Sequence, residues 1–125
     1  MKRGRRIALI GFGLAAVVGG GLIGWLALRP IPPVTVVVRN SSVKAITAVR
    51  LEHERGVETV ENLAHGEART IQFMAGGETS YTLRVRFADG SEVNGNPQYA
   101  ESGYEFVETV TDSGIESDVH LPSRY

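Results

Sequence analysis

No charge interrupts the 22 residues from Ile7 to Leu28, and the four charged residues just before them, Lys2, Arg3, Arg5 and Arg6, are all basic. As an α-helix this run is roughly 33 Å long, against the ~30 Å hydrocarbon core of a bilayer. It therefore reads as a transmembrane anchor, residues 7–28, whose partner is the lipid bilayer. Basic flanks stay on the cytoplasmic side, so the N-terminus is expected in the cytoplasm. The chain after Arg29 is then expected on the far side of an inner or plasma membrane, in the periplasm or outside the cell.

A cleaved secretory signal fits less well, because its apolar region runs about 7 to 15 residues and ends in small residues at the cleavage site. Here Trp25 occupies a position that cutting after Ala27 would require to be small. Trp25 suits the outer headgroup level instead. Arg5-Arg6 before a Gly-rich apolar run matches a twin-arginine signal only in part. Within the span, Gly11, Ala15 and Gly19 form one ridge of small residues and Ala16, Gly20 and Gly24 another beside it. Ridges of this kind let helices approach closely, so they are the candidates for lateral self-association.

Three prolines in Pro30-Ile31-Pro32-Pro33 favour an extended spacer, residues 29–33. Residues 34–125 then form one extracytoplasmic domain. Five of the thirteen basic residues lie at or before Arg29, leaving eight basic against fourteen acidic side chains and a net charge of −6 in this part. Eight of the acids fall between Asp89 and Asp118, with Arg124 as the sole basic residue after position 88. Such a surface repels nucleic acid and anionic membranes. The absence of cysteine removes disulfides, thiol nucleophiles and cysteine metal sites.

Period-two alternation dominates after residue 34, and no stretch reads as an amphipathic helix. Tyr81 to Ala88 is the clearest strand, with Tyr81, Leu83, Val85 and Phe87 on one face. Asp89-Gly90 turns the chain into a return strand at Ser91 to Asn94. Further strands are expected over 34–39, 43–54, 57–63, 68–74 and 104–111, with Ile115, Val119 and Leu121 on one face of a last strand. Seven or eight short strands spaced by turns define an all-β, immunoglobulin-like antiparallel β-sandwich in layout.

Few residues suggest chemistry. Glu52-His53-Glu54 offers three ligand types in a row, but strand alternation sends His53 to the face opposite the two glutamates. His65 and His120 are far apart in sequence. Asp112-Ser113-Gly114-Ile115-Glu116 lacks the ligand spacing of a calcium loop, and no nucleophile elbow, P-loop or zinc helix motif occurs. No catalytic, cofactor-binding or metal-binding residue is assigned, no cofactor is implied, and the chain is not expected to be an enzyme. Asn40-Ser41-Ser42 matches the N-glycosylation pattern. Glu108 lies between Phe106 and Val110 on an otherwise apolar face; a bulge or edge position would bring it to water, and a buried position would need a partner such as Arg84 or Arg86.

Tyr99, Glu101, Tyr104, Glu105 and Glu116, tyrosines beside acids, are the candidate protein-binding residues. The expected function is a protein-binding or accessory module of the cell envelope, with an immunity-type inhibitor as a special case. The alternative is a small hydrolase or metal-binding domain working through carboxylates and histidines.

Overall fold

A computed structural model of the protein describes residues 31–122. The span 7–28, with its ridges at Gly11, Ala15, Gly19 and at Ala16, Gly20, Gly24, lies outside the described residues. Among the described residues no helix is long and apolar enough to cross a membrane.

Among the described residues nine strands form, in order: β1 (Val34–Asn40), β2 (Ile46–His53), β3 (Gly56–Leu63), β4 (Ala68–Phe73), β5 (Glu78–Phe87), β6 (Glu92–Asn94), β7 (Gln98–Glu101), β8 (Glu105–Val110) and β9 (Ile115–His120). They pair into two sheets. One has the order β4-β1-β8-β9; the other has the order β3-β2-β5-β6, with β7 also paired to β5. The sheets face each other as a β-sandwich, because each strand buries one side of its pleat. Val34, Val36 and Val38 of β1 are fully buried, and so are Tyr81, Leu83, Val85 and Phe87 of β5. Burying side chains of this size stabilises the fold by about 1.5 to 3 kcal/mol each, and that apolar area holds together a domain without disulfides.

All pairings are antiparallel except β1 with β8, which run parallel from Thr35↔Glu105 to Asn40↔Val110. A parallel pair needs a long connection, and here the whole of β2 to β7 supplies it. The β5–β6 hairpin turns at Gly90, whose φ of 88° is a left-handed conformation that glycine adopts freely. Asp89 braces the same turn, accepting from the Ser91 amide at 2.9 Å and pairing with Lys44 at 3.0 Å. Those hydrogen bonds to Ser91, followed by the Lys44 contact, lower the Asp89 pKa to about 2.

Three expectations from the sequence change. The strand count is nine rather than seven or eight, because Gln98–Glu101 forms a short strand along the first half of β5 while β6 covers the second half. Glu108 is neither bulged nor at an edge: β8 pairs without a register shift on both sides, and Glu108 is 1% exposed. The last strand ends at His120, so Leu121 falls just beyond it, and Val119 and Leu121 are 45% and 64% exposed.

Candidate functional site

A buried polar group left unpaired would mark a site. Glu108 sits on the inner face of β8, opposite Ser117 of the antiparallel β9. Its two carboxylate oxygens accept separate hydrogen bonds, one from the Tyr81 phenol of the facing sheet and one from the Ser117 hydroxyl. Arg84 and Arg86, the partners suggested by sequence, occupy the opposite side of β5. Arg84 pairs with Glu52 at 3.4 Å, and Arg86 with Glu92 at 2.7 Å. Residues 81 and 84 have opposite parity on one strand, so only one of them can point inward. Burial raises the Glu108 pKa, and the Ser117 and Tyr81 bonds oppose that rise. The Tyr81 phenol is pushed well above its ordinary value by burial and then by the adjacent carboxylate. With both oxygens bonded and the group closed off from solvent, this cluster pins the sheets together.

A second buried group, Asn40, has no exposed surface. Its amide donates to the carbonyls of Lys44 (2.8 Å) and Leu63 (3.0 Å) and accepts from the Ser42 amide (3.0 Å) and hydroxyl (2.6 Å). The Asn40 side chain thereby ties the β1–β2 loop to the end of β3. A side chain enclosed in this way offers no acceptor nitrogen for a glycan in the folded domain. His65 contacts the Ser42 carbonyl at 2.5 Å beside it.

His53 stacks on Phe73 with ring centroids 4.3 Å apart and meets Glu58 at 3.1 Å. Glu52 turns the other way, to Arg50 and Arg84. Glu52 and His53 therefore diverge, and Glu54 lies beyond the end of β2. Among the described residues no three His, Asp or Glu side chains gather as a metal ion would need.

The proposed binding residues fall into two groups. Tyr99 and Glu101 stand opposite the exposed Ser80 and Glu78, on the outer face of the five-stranded sheet. The Tyr99 phenol bonds the Glu101 carboxylate, which raises its pKa to about 12, and its ring meets Tyr104 edge-on at 6.2 Å. Tyr104 in turn leans on Phe106 of the core. Glu105 and Glu116 are exposed on the outer face of the four-stranded sheet, where Glu105 pairs across to His120 and Glu116 to Thr109. The five residues thus do not form one patch.

Glu116 lies on a sheet edge, β9, and Glu105 sits beside it on β8; an edge is the kind of binding surface the sequence suggests, but local pattern does not say which strand supplies it. All six residues of β9 pair with β8 in unbroken register. No strand among the described residues pairs with its other side. Pro and Lys, the usual blockers of sheet edges, are absent from β9. By contrast β6 and β7 are three and four residues long. At the far margin Arg69 of β4 donates to the Asn62 carbonyl of β3 at 3.3 Å, linking the two edge strands.

No family model matches the chain, and no curated protein matches it in sequence. Eight solved chains match in structure. One is the NMR structure of a protein from Eubacterium rectale, 10% identical, with a TM-score of 0.56 over 74% of this chain and 93% of that one. At that identity the likeness is one of fold.

Proposed function

We propose that this protein is a single-pass, membrane-tethered module with an immunoglobulin-like layout that binds another protein of the cell envelope. The observation that carries this reading is β9: a strand in unbroken register with β8, with no strand among the described residues on its other side, whose partly exposed Val119 lies beside the acid Asp118. A free edge supplies unpaired backbone groups, and the apolar row supplies area to bury. The compact unit starts at Pro32, and Pro32 and Pro122 both lie near Gly103, so the C-terminal end of β9 lies beside the point where the chain enters the domain. The anchor, residues 7–28, would keep the domain at the membrane.

The test is recovery of partners from envelope extract at low and moderate salt, using the full chain in detergent with and without neutralisation of Glu101, Glu105 and Glu116. Exposed charges act mainly on association rate, so neutralisation is expected to slow capture and flatten its salt dependence while leaving stability unchanged. The same proteins recovered with the same salt response would reduce the acidic surface to solvation.

A further inference from the structure

If the domain binds a protein at β9, as proposed above, the edge also restricts what the bound segment can be. We propose that β9 accepts an extended segment of its partner as a fifth strand of the four-stranded sheet, and that this segment carries Lys or Arg at alternate positions with apolar residues between them.

Register defines the two rows that such a strand would meet. On the outer face β9 presents Glu116, Asp118 and His120, which stand opposite Thr109, Val107 and Glu105 of β8. On the inner face it presents Ser117 and Val119, with Leu121 following. Among the described residues, the one Lys or Arg on the outer face of this sheet is Arg39, which lies on β1, beyond Thr109 from Glu116. Among the described residues Asp118 makes one ion pair, with His120 at 3.7 Å. Opposite charges directly across two strands stabilise their pairing and like charges weaken it, so the outer row selects basic neighbours. Successive residues of a strand alternate faces, so the inner row of the same segment should be apolar to cover Val119 and Leu121.

A second copy of this chain fits poorly. An antiparallel pair of β9 strands about a two-fold axis through Ser117 sets Glu116 against Asp118. Through Asp118, the axis sets two Asp118 carboxylates against each other. Through Val119, it brings Pro122, which has no N–H, into the ladder opposite Glu116. The edge is thus biased against itself by its own charges, which leaves it open to a basic strand.

The full chain in detergent would be titrated with a blocked synthetic peptide of about ten residues, alternating Lys and Val, a length matching one strand. Binding would be read by anisotropy and by amide hydrogen exchange at residues 115–120. The expected result is binding with slowed exchange in β9. The Glu116→Lys, Asp118→Lys double variant should bind about tenfold more weakly or worse, and should acquire affinity for the Glu–Val peptide. A Lys–Val peptide N-methylated at alternate residues cannot form the ladder and should not bind. Equal binding of the N-methylated peptide, protection elsewhere on the domain, or a native dimer with β9 already protected would each overturn the proposal. Failure of the peptide while an envelope partner still binds another face removes the strand-addition proposal alone; absence of any partner removes the binding reading itself.

Discussion

Tyr81 on β5 donates its phenol O–H to Glu108 on β8, a hydrogen bond that crosses from one sheet of the sandwich to the other. The second carboxylate oxygen takes the hydroxyl of Ser117 on β9, so one buried acid links the core of one sheet to the edge of the other. Each member satisfies another: the phenol needs an acceptor when buried, and the carboxylate needs donors once it is out of water.

Tyr81→Phe should therefore destabilise the domain although it keeps the ring. Hydrogen bonds to charged groups contribute about 1.5 to 3 kcal/mol, and the loss leaves one oxygen of Glu108 unsatisfied. Urea denaturation gives the difference directly. A change within about 0.5 kcal/mol, the usual range for surface substitutions, would mean that the bond is not formed in solution.

The raised Glu108 pKa fixes the sign of a pH effect. A carboxyl that is harder to ionise in the folded state holds its proton there while the unfolded chain has already released its own near pH ~4.3. Its stabilising contribution is complete below that value and is lost as pH rises through the higher native pKa. Glu108→Gln has no such titration. Against pH, the stability of wild type minus that of the variant should fall across this window and level off above it. A difference that rises with pH would show that the Tyr81 and Ser117 bonds outweigh burial.

How legible this cluster was follows from what each residue reveals alone. Glu108 was visible as an acid on an apolar face, since Phe106 and Val110 flank it at strand spacing. Its partners were not, because arginines draw attention as counter-charges whereas Tyr81 and Ser117 look like ordinary strand residues. Parity along β5 was the available clue: with Tyr81 inside, Arg84 and Arg86 had to be outside. The strand β5 itself was plain from four apolar residues in alternation. The short β7 was not, because Ala100 is its one buried residue and Asn96-Pro97 and Ser102-Gly103 bracket it as turns. The parallel pairing of β1 with β8 joins segments too far apart in sequence for local pattern to show, and with it went any view of β9 as a free edge.

Phe87→Ala should cost about 3 to 5 kcal/mol, the range for truncating a core aromatic. Phe87 is 1% exposed, stands opposite Ile46 in the register of β2, and carries the Lys44 ammonium 5.0 Å from its ring centroid. Thermal and chemical melts of the variant measure it; a loss below about 1 kcal/mol would require a different strand register.

Asn40→Ala should exceed about 2 kcal/mol, because it strips a partner from the Leu63 carbonyl and from the Ser42 amide at once, and each buried group left unpaired costs about 1 to 3 kcal/mol. Hydrogen exchange should show the loss as faster opening of the β1–β2 loop. Unchanged protection there would place the loop's order in its backbone bonds instead.

Residues 34–125 should fold without the preceding segment, since the buried core lies within the compact unit that begins at Pro32. A chain starting at Val34 is expected to be soluble, to show a β-type circular dichroism spectrum and to melt cooperatively. Aggregation or a disordered spectrum would move the domain boundary toward the N-terminus.

The binding role of β9 is tested most directly by a photoreactive residue placed in living cells at Val119, compared with the same residue at the exposed Thr59 of β3 and Thr70 of β4. Discrete adducts with one envelope protein from position 119, and none from 59 or 70, are the expected result. Adducts from 59 or 70 with none from 119 would contradict it and place the working surface on another part of the sandwich.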